Sequence, residues 1–76
     1  MNIHQCQKWA ETNGFDGAEF YADFPAGRKK CKWLDAYFGM FEIPGVTDGF
    51  LMVSQIDEMF PNLSCEPIEG KNEQIL

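Results

Sequence analysis

The chain is predicted to fold as an α+β domain in which an N-terminal helix packs on a small antiparallel sheet of three or four strands, with a short second helix. Three observations carry this expectation. The first residues run without Pro or Gly and place apolar side chains at helical spacing. "AEFYADF", residues 18 to 24, alternates apolar and polar side chains. Turn residues then punctuate a series of short apolar runs. Seventy-six residues suffice for one hydrophobic core, and 45% apolar with 14% aromatic residues is the composition of a packed fold rather than of an acidic disordered segment. A single domain is expected over residues 1 to 68, followed by a polar, unpatterned stretch, "EGKNEQIL", residues 69 to 76, expected to be a frayed C-terminal tail.

Asn2 has a side-chain oxygen suited to capping, and "IHQCQKWAETN" then continues to Gly14, so a helix is expected over residues 3 to 13. Ile3, Cys6 and Ala10 share one face of it, with Trp9 beside them. In the first strand Ala18, Phe20, Ala22 and Phe24 point one way and Glu19, Tyr21 and Asp23 the other. Pro25, Ala26 and Gly27 turn the chain, giving a hairpin with a loop of four or five residues and a return strand from about residue 30 to 36. The run "AYFGMFEI" stays apolar on both faces, and Gly39 within it predicts a bulge or bend in one long strand that ends at Pro44 and Gly45. "FLMV", residues 50 to 53, reads as a short buried strand. Ser54 and Asp57 are spaced as a capping box for the brief helix "QIDEMF", stopped by Pro61. A last strand around "LSCEPI" is placed at a sheet edge by Pro67, which lacks an N–H.

The start of the chain lacks the basic-then-apolar pattern of a secretory signal, and no apolar stretch approaches the length needed to span a bilayer, so a soluble cytoplasmic protein is expected. Cys6, Cys31 and Cys65 are odd in number and widely spaced, which suits reduced thiols. With His4 they formally make a Cys3His set. No C-x2-C pair is present and His4 and Cys6 diverge on a helix, so the reading is buried thiols in the core and no metal or other cofactor. His4 in a first helical turn has no evident nucleophile and orienting carboxylate, and the glycines are scattered at turns rather than gathered in a phosphate-cradling loop. An enzyme is not expected.

Twelve acidic and six basic residues give a net charge of −6, a field that disfavours nucleic acid and anionic membrane and favours basic partners. Four of the six basic residues lie in "GRKKCKW", residues 27 to 33. Arg28, Lys29, Lys30 and Lys32 followed by Trp33 combine charge with a stacking surface, as single-strand binders do. Lysines on a hairpin edge equally serve to block edge-to-edge association. The remaining surface is nearly single-signed. Glu19, Tyr21, Asp23, Asp35, Tyr37, Glu42, Asp57 and Glu58 are the candidate partner-binding residues, with Phe60 as a further aromatic anchor.

In size, acidity, aromatic content and lack of a catalytic set, the chain resembles the small acidic inhibitors of bacteriophages and other mobile elements, the anti-CRISPR and anti-restriction proteins, several of which are DNA mimics. The resemblance covers no motif. It implies a non-enzymatic inhibitor that occludes a basic surface of a protein target, such as a nucleic-acid-handling complex. The alternatives are a small nucleic-acid-binding or accessory domain using residues 28 to 33, and a homo-oligomer that hides surplus aromatics.

Overall fold

The computed structural model describes residues 1–13 and 17–68, so the expected tail lies outside the described residues, as do Gly14 and Asp16. The elements in chain order are α1 (Ile3–Asn13), β1 (Glu19–Phe24), β2 (Gly27–Asp35), β3 (Met40–Glu42), β4 (Leu51–Met52), α2 (Val53–Met59) and β5 (Cys65–Ile68). The strands form one sheet in the order β4-β3-β2-β1-β5, with every neighbouring pair antiparallel. The α+β class is as predicted, but the sheet has five strands rather than three or four.

The extra strand arises at Gly39. The single long strand expected through "AYFGMFEI" is instead two strands joined by a tight turn over residues 36–39. Gly39 takes φ 75°, a left-handed conformation open to glycine at little cost, and it reverses the chain rather than bulging it. The true register shift in this hairpin lies between Trp33 and Asp35.

The first hairpin is also tighter than expected. Phe24 pairs with Gly27, which leaves only Pro25 and Ala26 at the turn and starts the return strand at Gly27 instead of residue 30. Pro25 presets its φ, and Gly27 accepts φ 136° immediately after the turn.

The cap of α1 is reciprocal: the Gln5 N–H donates to Asn2 Oδ1 and the Asn2 N–H donates to Gln5 Oε1, each at 2.8 Å. Just before it, Asn2 bridges Ser64, and the Cys65 N–H donates to the Met1 carbonyl at 2.6 Å, fastening the chain start to β5. In α2 the Ser54–Asp57 capping expectation fails. The helix begins at Val53, one residue early, and it is Gln55 Oε1 that accepts the Met52 N–H, at 3.0 Å. Consequently β4 is only Leu51–Met52, shorter than the predicted strand. β5 is an edge strand, as Pro67 requires.

Both helices cover the same face of the sheet. Ile3, Cys6 and Ala10 from α1 and Val53 and Ile56 from α2 share one core with Phe20, Ala22, Cys31, Trp33, Phe41 and Cys65 from the strands. Its centre is aromatic: Phe20 stacks on Trp33 at 4.6 Å between centroids, and Phe41 meets them edge-on at 5.4 and 5.6 Å. Such pairs contribute about 0.5–1.5 kcal/mol each beyond the burial of their area. The small residues Cys6, Ala10 and Ala22 let α1 approach closely, and the buried thiols fill the gaps between rings.

Candidate partner-binding site

The pleat of β2 divides the basic run. Arg28, Lys30 and Lys32 alternate onto the open face of the sheet, while Lys29, Cys31 and Trp33 turn toward the helices. Trp33 is 1% exposed and belongs to the core, so the stacking surface expected beside the lysines does not exist. Arg28 is held by two carboxylates, with Nε 2.7 Å from Asp23 Oδ1 and Nη2 3.2 Å from Glu66 Oε1, and its guanidinium lies 4.9 Å from the Tyr21 ring centroid. The hydrogen bond from Arg28 holds the Asp23 carboxyl below the usual carboxylate range. Lys32 sits in register between Glu19 and Glu42, and Lys30 lies opposite Tyr21. The open face is therefore a lattice of alternating signs.

The candidate acidic residues are likewise dispersed. Glu19, Tyr21, Asp23 and Glu42 lie on the open sheet face, interleaved with those cations. Asp57 and Glu58 are on α2, in the layer behind the sheet, where Asp57 Oδ2 lies 3.2 Å from His4 Nε2. Asp35 and Tyr37 are at the β2–β3 turn. Phe60, considered as an anchor, is half-buried against Phe24, with centroids 5.4 Å apart.

That turn is the most exposed aromatic feature. Tyr37 is 70% and Phe38 64% exposed, with ring centroids 5.1 Å apart in an edge-to-face pair. Their backbone is pinned from several directions. The Phe38 N–H donates to Asp35 Oδ1 at 3.2 Å, and Gln7 Nε2 on α1 donates to the carbonyls of Ala36 at 2.8 Å and Tyr37 at 3.3 Å. The Gly39 N–H donates to the Ala36 carbonyl at 3.2 Å, and the Val53 N–H at the start of α2 donates to the Gly39 carbonyl at 2.9 Å. The rings thus project from a backbone tied to both helices, an arrangement suited to anchoring a partner. Phe38 was missed in the sequence reading because "AYFG" was taken as part of a strand. Its signal is the aromatic pair directly before Gly39.

The thiols are buried in the core and far from reactive. Burial pushes Cys6 and Cys31 up to about 12 and Cys65 up to about 11. His4 lies on the surface against Asp57, away from the thiols' apolar setting. Among the described residues no three His, Cys, Asp or Glu side chains gather to hold a metal ion, and no helix is long and apolar enough to cross a membrane. Comparison of the chain with protein-family models, curated proteins and solved structures finds no match.

Proposed function

We propose that this protein is a non-enzymatic binding protein that occludes a basic, nucleic-acid-handling surface of a protein partner, in the manner of the anti-CRISPR and anti-restriction inhibitors. The observation that carries the reading is the exposed pair Tyr37 and Phe38 on a turn pinned by Asp35 and Gln7. Rigid exposed aromatics are the residues that most often dominate binding energy. The charge supports a basic partner: beyond the open sheet face, Glu11, Asp35, Asp48, Asp57 and Glu58 face only Lys8 and Lys29 among the described residues. The open face itself, with its cations interleaved, is a poor phosphate mimic. Contact is therefore assigned to the turn and the helix-bearing side, with carboxylates steering the encounter.

The test is affinity capture from a nuclease-treated bacterial lysate, eluted in salt steps, with the wild type and Y37A/F38A compared side by side. The wild type should retain a basic protein that leaves at moderate salt. The double variant, equally folded by circular dichroism, should bind at least about thirtyfold more weakly, the loss of one anchor worth about 2 kcal/mol. Capture unaffected by salt or by Y37A/F38A refutes the reading. Partners that vanish with nuclease and with K30E/K32E would return the activity to the basic strand.

A further inference from the structure

A second feature lies on the helix-bearing side, away from the β2–β3 turn. Phe24, Pro25 and Ala26 from the β1–β2 hairpin, Ile43 and Val46 from the segment after β3, and Phe60 at the end of α2 line an open cavity of about 310 Å³. That volume is at the lower end of the range for small-ligand sites, about 300 to 1,000 Å³. Its walls are held by hydrogen bonds. Val46 and Thr47 donate backbone N–H groups to the Ile43 carbonyl at 2.9 and 3.0 Å, the Ile43 N–H donates to Thr47 Oγ1 at 3.1 Å, and the Phe60 N–H donates to the Ile56 carbonyl at 2.7 Å.

The remaining lining residue is Lys29. The alternation of β2 puts Lys29 on the same face as Cys31 and Trp33, a register position that the core takes elsewhere in the strand. It is half-buried, and among the described residues no carboxylate lies within 4.0 Å of it, whereas Arg28 beside it has two. An apolar cavity with a single ammonium on its wall is complementary to a molecule with an apolar body and one negative charge. A lone cation in a chain of net charge −6 suits a monoanion and opposes a phosphate dianion.

We propose that this cavity binds small amphiphilic carboxylates, with the alkyl tail against Phe24, Val46 and Phe60 and the carboxylate on Lys29. The site is separate from Tyr37 and Phe38 and does not depend on the partner reading. Octanoate, octanol and octylammonium, which share one tail, are titrated into the full-length protein and followed by amide chemical-shift perturbation. Octanoate should give saturable shifts confined to residues 24–29, 43–47 and 60. K29M should weaken it about fivefold to tenfold and K29R should restore it, the contribution of one charge-assisted contact at a half-buried site. V46D, at a position 60% exposed and so tolerant of substitution, should also repel octanoate, which keeps the test decisive if K29M unfolds. Equal affinity for octanol and octanoate, shifts elsewhere, or no saturation into the millimolar range would overturn the proposal. In that case the Lys29 stem merely covers apolar surface while its head reaches water.

Discussion

Replacing Gln7 by Met keeps the length and volume of a half-buried side chain on α1 and removes only its amide. Two hydrogen bonds to the β2–β3 turn are lost, the part-buried one to the Ala36 carbonyl at 2.8 Å and the exposed one to the Tyr37 carbonyl at 3.3 Å. The first contributes about 1 kcal/mol and the second, longer and wet, a few tenths. Neither carbonyl is left stranded, because Ala36 still accepts the Gly39 N–H at 3.2 Å and Tyr37 can turn to water. The full penalty for a buried unsatisfied acceptor therefore does not apply, and Q7M should cost about 1–1.5 kcal/mol. For a domain of this size each kcal/mol lowers the melting midpoint by about 4–8 °C, which makes the change easy to read by circular dichroism. Amide exchange supplies a local readout: the Phe38 N–H, bonded to Asp35 Oδ1, should exchange faster in Q7M while the amides of β1 change only with global stability. A melting point equal to that of the wild type, or unchanged protection at Phe38, would show that Gln7 does not hold the turn. A loss above about 3 kcal/mol would mean the substitution disrupts packing instead.

G39A should be more damaging than Q7M. Its φ is 75°, and an added Cβ would stand 3.2 Å from Val53 Cγ2 and 3.1 Å from Gln7 Nε2, so about 2 kcal/mol or more should be lost in urea denaturation. The Asp23 carboxyl titrates below the usual carboxylate range because Arg28 hydrogen-bonds it. R28Q should return it toward the ordinary value in a carbon-detected titration. Because that folded-state value is depressed, the pair stabilises the fold above the ordinary carboxylate range and ceases to do so as pH falls through the depressed value. R28Q should therefore flatten the acid limb of the stability profile. The three thiols run the other way. Raised by burial, they contribute stability that is complete below the ordinary thiol value of 9.0 and is lost as pH rises toward about 11 to 12. They should resist alkylation at pH 8 in the native protein and react fully in denaturant, and rapid native labelling would contradict their placement in the core.

The local elements were largely legible in the sequence, because each was dictated by a short-range rule. Ile3, Cys6 and Ala10 at helical spacing and the strict alternation of residues 18 to 24 require no partner to be read. Gly39 was different. A glycine inside an apolar run is compatible with a bulge or with a reversal, and only the hydrogen bonds of Asp35, Gln7 and Val53 to the surrounding backbone select the reversal. The same decision turned Tyr37 and Phe38 from presumed strand residues into an exposed pair.

Composition and order determined the α+β class, the capped first helix, the wet and dry faces of β1 and the edge position of β5, since pattern, capping and proline chemistry act over a few residues. The distribution of charge was decided by tertiary structure. A run such as "GRKKCKW" looks like one patch on paper, yet the pleat sends alternate residues to opposite sides of the sheet. Strand register then sets Glu19 and Glu42 against Lys32, and Asp23 and Glu66 against Arg28. Sequence distance counts charges, but electrostatic energy follows distance in space, and that depends on which strands become neighbours.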